Sequence, residues 1–66
     1  MDFGKVCVEF RAKHNLTQKQ MAEIIGVSVT MVTFYETGRY KPYKMKEIKF
    51  KIKMKEWEMC KDVQEL

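Results

Sequence analysis

The charged residues of this chain are sorted along its length, and the sorting limits the chemistry open to it. Residues 39–55 carry eight basic groups and one acidic group, a local charge of +7. Residues 1–38 carry four of each, and residues 56–66 carry one basic and four acidic. The run Arg39, Lys41, Lys44, Lys46, Lys49, Lys51, Lys53 and Lys55 suits a polyanion, above all the phosphates of a nucleic acid. A lysine row is also the ordinary way to keep a face in water or to guard a strand edge, and Lys49 to Lys55 admit that reading too. No reaction centre is assembled. His14 is the single histidine, and there is neither a Gly-rich phosphate loop nor a G-x-S-x-G motif. Cys7 and Cys60 stand at opposite ends without the Cys or His neighbours of a metal site, so reduced, packed thiols are expected. No enzyme activity, metal or cofactor is expected.

The elements that must position the basic run fit into one small domain of 66 residues, 45 % of them hydrophobic, which excludes a disordered chain. No apolar run approaches the ~20 residues of a membrane span. The acidic Asp2 and the lack of a hydrophobic leader point to a cytoplasmic protein with no membrane partner. Asp2 is suited to cap a first helix with Phe3, Val6, Cys7 and Phe10 on its inner face, ending near Lys13 to Asn15. Thr17-Gln18-Lys19-Gln20 reads as a capping box that starts a second helix near Gln18. Met21, Ala22, Ile24 and Ile25 line its inner face, and it stops at Gly26. Ser28 then caps a third helix from about Val29 to Glu36 or Thr37, before Gly38, with Val32 and Tyr35 inward. Its β-branched Val29, Thr30, Val32 and Thr33 are poor helix formers, so packing on the second helix must hold it. Two short helices joined by so tight a glycine turn form a helix-turn-helix unit.

The stretch Leu16 to Pro42, LTQKQMAEIIGVSVTMVTFYETGRYKP, closely resembles the phage repressor and Cro-type helix-turn-helix family, also called the xenobiotic response element family. The matching residues are the opening LTQ, Ala22 at the helix crossing, Gly26 and the GVS that follows it. To these are added the apolar Met21, Ile25, Val27, Val32 and Tyr35, and the closing Y-E-x-G…K-P. Gly4, Phe10 and Arg11 extend the match into the first helix. The resemblance implies a mainly α, lambda repressor-like fold with residues 1–42 as the DNA-binding part. It implies an Arg11–Glu36 ion pair, phosphate contacts from Gln18, Lys19, Ser28, Arg39 and Lys41, and base contacts from Val29, Thr30, Thr33 and Phe34. Lys44 joins the phosphate set by its place just beyond them.

The base-reading positions depart from the commoner family pattern of Gln, Arg, Asn or Ser. Valine and phenylalanine can only pack on thymine methyls or stack, and threonine hydroxyls bond weakly, so an A·T-leaning site is expected. Phe34 equally fits an interface or the core. The implied function is a sequence-specific transcriptional regulator, a small phage or mobile-element repressor acting as a homodimer on a double-stranded DNA operator. The rival is an antitoxin-type module whose main partner is a small protein.

Beyond Pro42 the resemblance fades. Residues 43–66 are expected to be the dimerisation segment of the same single domain. Ile48, Phe50, Ile52 and Met54 alternate strictly with Lys49, Lys51, Lys53 and Lys55, the pattern of a strand with one wet face. Such a strand would pair with its copy in a second subunit and place Ile48, Phe50, Ile52, Met54 and Trp57 in the dimer interface. A short helix, Glu56 to Leu66, would follow, packing through Trp57, Cys60 and Val63. The alternative is all-α, with fourth and fifth helices. Met45, Ile48, Ile52, Met59 and Val63 would then form one stripe and Phe50, Met54 and Trp57 another nearly opposite, one facing the domain and the other a partner.

Overall fold

Four helices account for the regular structure in a computed structural model, which describes residues 2–64 and side chains as far as Lys61: α1 (Phe3–His14), α2 (Gln18–Ile25), α3 (Val29–Thr37) and α4 (Lys44–Gln64). The first three begin and end where the local chemistry places them. The Asp2 carboxylate accepts from the Gly4 N–H at 3.1 Å, and Asn15 closes α1 in the left-handed region at φ 55°. The capping box at α2 is complete: Thr17 Oγ1 accepts from the Gln20 N–H at 3.1 Å, and Gln20 Oε1 accepts from the Thr17 N–H at 2.9 Å. Gly26 then turns the chain at φ 78°, a conformation a side chain would strain. Ser28 Oγ accepts from the Met31 N–H at 3.2 Å and caps α3, which starts three residues after Gly26.

The core is one cluster of Phe3, Cys7, Phe10, Met21, Ala22, Ile25, Val32, Tyr35, Phe50 and Met54. It holds the β-branched α3 in helical form, as its sequence requires: Val32 is wholly buried, and Tyr35 meets Phe3 edge-on at 5.4 Å between ring centroids. Burial pushes the Cys7 thiol up to about 12, with Glu36 and Asp2 adding to the effect and Arg11 opposing it. Cys60 is exposed. A disulfide-exchange reagent at pH 8 is therefore expected to titrate one thiol per folded chain and both after denaturation. Two fast thiols in the folded chain would contradict the packing of Cys7.

The segment after Pro42 corrects the strand expectation. Residues 48–55 lie inside α4, one uninterrupted helix of 21 residues, and there is no strand among the described residues. The all-α alternative is the observed class, with one helix in place of a fourth and a fifth. A helix satisfies its own backbone, whereas a lone strand needs a partner edge, and Lys, Met and Glu are good helix formers. The alternating apolar residues consequently divide between two faces. Phe50 and Met54, expected in an intersubunit ribbon, are 4 % and 5 % exposed and complete this chain's own core. Trp57 packs partly buried on the same side, 5.8 Å from the Phe10 ring. Ile48 and Ile52 face outward. Cys60 is exposed and does not pack, and the Val63 side chain lies outside the described residues.

Candidate nucleic-acid interface

The third helix is presented by its neighbours. Its inner face is fixed on α1 and α2, and its outer face carries Val29 and Thr30, both exposed at the N-terminal turn. Free N–H groups and a partial positive charge gather at that turn. Ser28 caps it through its oxygen, and its hydroxyl proton has no acceptor among the described residues. The Ser28 O–H, Val29 and Thr30 thus form one small open surface.

The other two expected base contacts are differently placed. Thr33 commits its hydroxyl proton to the protein, directed at Gln18 Oε1 at 3.0 Å and the Val29 carbonyl at 3.2 Å, so it offers its methyl group and an acceptor oxygen outward but no donor. Phe34 is half-buried, with the Tyr40 ring 5.3 Å away and the Arg39 guanidinium 5.0 Å from its centroid. That cation–π contact gives Arg39 a fixed perch beside α3. Phe34 thus acts as a platform for Arg39, a role that its place in the helix did not reveal.

Gln18 was expected to meet a phosphate. Its side-chain amide is instead turned inward, donating to Glu36 Oε1 at 3.0 Å while its oxygen accepts from Thr33. Glu36 also receives two hydrogen bonds from Arg11, at 2.7 and 2.8 Å, and Arg11 donates a third to the Leu16 carbonyl at 3.1 Å. The expected ion pair is thus the centre of a network that joins α1, the α1–α2 turn, α2 and α3. Burial alone would raise the Glu36 carboxyl, but the hydrogen bonds from Arg11 and Gln18 and the Arg11 charge hold it below the usual range.

Lys19, Arg39, Lys41 and Lys44 are all exposed, as phosphate ligands must be. Lys41 lines a shallow hollow together with Asp2 and Glu47. Farther along, the Lys53 ammonium stands at the α2–α3 turn, 3.1 Å from where a Gly26 Cβ would lie, a cation set at the C-terminal end of α2.

Two features have no clear sequence signal. Tyr40 joins the Phe34–Arg39 cluster; only its place inside the basic run Arg39-Tyr40-Lys41 marks it. His14 meets Glu58 at 2.6 Å and the Trp57 ring at 5.0 Å, clasping α1 to α4 across 44 residues of sequence. The hydrogen bond from His14, with Lys13 in support, holds the Glu58 carboxyl below its usual range.

Residues 9–42 match the family model described as helix-turn-helix. Two curated relatives, each named an uncharacterized HTH-type transcriptional regulator of Archaeoglobus fulgidus, are 47 % and 44 % identical over 34 residues. The match takes in 52 % of this chain and 48 % and 49 % of theirs, so the chain spans about half the length of the curated relatives it matches. No solved structure matches it. With the capped α2, the Gly26 turn and the braced α3 all inside the matched region, the chain belongs to the repressor and Cro-type helix-turn-helix family.

Proposed function

We propose that the chain binds double-stranded DNA sequence-specifically, with α3 in the major groove, and regulates transcription as a homodimer on a two-fold operator, in the manner of a small repressor. The observation that carries this reading is the outward N-terminal turn of α3, where Ser28, Val29 and Thr30 lie open on a helix held from behind by the core and by the Arg11–Glu36–Gln18 network. The names of the two relatives support the regulatory role. Val29, Thr30 and the Thr33 methyl read thymine methyls, and Arg39 on its Phe34 perch grips the adjoining backbone. Lys19, Lys41, Lys44 and the N-terminus of α2 add phosphate contacts. Half-sites on a symmetric operator then lie about 34 Å apart, one turn of the duplex.

Binding measured against salt tests the footprint. About four phosphates per subunit give a dimer a log–log slope near −7, at roughly −0.9 per phosphate. A slope shallower than about −3 would remove the phosphate footprint from the reading.

A further inference from the structure

The chain that leaves α3 is tied back onto it. Gly38 turns at φ 80°, and the Arg39 and Tyr40 N–H groups both donate to the Phe34 carbonyl, at 2.9 and 3.2 Å. The same two residues meet the Phe34 ring, the Arg39 guanidinium at 5.0 Å and the Tyr40 ring at 5.3 Å. Tyr40 is therefore held in place although 54 % exposed, and its hydroxyl enters no hydrogen bond among the described residues. Thr30 and Phe34 stand four residues apart on one side of α3, so Thr30, Phe34 and the Arg39–Tyr40 pair follow one another along it. From Thr30 to the end of α3 is about 10 Å at roughly 1.5 Å per residue. The major groove is about 12 Å wide, so an α3 that sets Thr30 on the groove floor carries Tyr40 at the rim, where one sugar–phosphate backbone runs.

We infer that Tyr40 is a DNA-backbone residue whose hydroxyl donates to a phosphate oxygen beside the phosphate that Arg39 neutralises. A phenol carries no charge at neutral pH, so this contact adds affinity without displacing a counterion and leaves the salt slope untouched. The mooring on Phe34 removes beforehand much of the rotamer freedom that an exposed tyrosine loses on binding. The inference rests on the DNA reading above and adds to it an uncharged contact that persists at high salt.

Binding of the full chain to the duplex it selects from a random pool, measured against salt, tests the assignment. Tyr40→Phe keeps a ring against Phe34 and removes only the oxygen. It should weaken binding roughly 10-fold for each half-site at every salt concentration and leave the slope unchanged. Arg39→Ala should instead make the slope shallower, by roughly 0.9 per half-site. Methylphosphonates placed singly along the duplex locate the contact: at the phosphate that Tyr40 meets, the cost of the substitution should shrink in the Tyr40→Phe background. Costs that add at every position overturn the inference. So does a Tyr40→Phe chain that binds as tightly as wild type, and a Tyr40→Ala chain that alone is weak would then assign the ring to DNA in place of the hydroxyl. A slope that flattens with Tyr40→Phe as it does with Arg39→Ala also overturns it, because Tyr40 would then act only through Arg39. A wild-type chain that selects no duplex removes the DNA reading itself, so the two failures are told apart.

Discussion

A Gly4→Ala chain is expected to be largely unfolded at 37 °C. A methyl group in a helix ordinarily stabilises by about 1 kcal/mol over glycine, so the expected sign is reversed here. The reason is the crossing of α1 and α3. A Cβ on Gly4 would overlap the Tyr35 carbonyl oxygen, and it would lie 3.0 Å from the Tyr35 carbonyl carbon and 3.2 Å from the Glu36 Cα. These are backbone atoms inside α3 and cannot swing aside as a side-chain tip can. Relief requires moving α3 off α1, which loosens Phe3, Cys7, Val32 and Tyr35 together. Overpacking typically costs about 1–3 kcal/mol, and a clash with backbone that has no room to move lies at the upper end, about 3 kcal/mol. A chain this small has roughly 3–5 kcal/mol in all. Gly38→Ala separates crowding from backbone strain, because its φ is 80° and no atom lies near its added methyl. It should cost only about 1 kcal/mol. Thermal melts of the two variants check this; a Gly4→Ala midpoint within a few degrees of wild type would mean that the helices do not cross this closely.

The second large effect is expected at Arg11. Glu36 has a side chain only 7 % exposed and depends on Arg11 for two of its three hydrogen bonds. Arg11→Met keeps the alkyl packing and strands the carboxylate, at a cost of about 3 kcal/mol near neutral pH. The variant should also reverse a pH dependence. In the wild type the folded carboxyl lies below its unfolded value, so its contribution is complete above about pH 4.3 and is lost as pH falls through the folded value. Without Arg11, burial sets the direction and raises the folded carboxyl above the unfolded one. The variant's stability should therefore fall as pH rises from about 4.3 toward neutrality. Denaturant melts from pH 4 to pH 7 decide it; parallel pH profiles for the two proteins would show that Arg11 does not control Glu36.

The parts of the fold legible in the sequence are those fixed by local chemistry. Asp2, the Thr17–Gln20 box, Ser28 and the glycines at 26 and 38 act within a few residues of themselves, and they set the helix ends. The Arg11–Glu36 pair spans 25 residues and was legible only through the family resemblance. Gln18 shows where such inference stops. A helix N-terminus suits a phosphate, but the direction of its amide depends on a carboxylate brought near by folding. The tail misled for a different reason. Its lysines alternate with apolar residues because α4 has two apolar sides, and two opposed stripes on a helix imitate period two over a short window. Tertiary packing decides between the two periods, and Phe50 and Met54 fit a gap that α1, α2 and α3 leave open.

The reading of DNA by α3 is tested most directly by selecting bound duplexes from a random pool, with the wild-type chain beside a Thr30→Glu variant. Thr30 is exposed and touches no part of the core, so the variant should keep its fold while placing a negative charge against the groove floor. The expected result is enrichment by the wild type of a two-fold symmetric, A·T-leaning sequence with half-sites about one helical turn apart, and no enrichment by the variant. Enrichment of the same sequence by both chains, or of a G·C-rich sequence fixed at every position, would contradict the assignment of recognition to this face of α3.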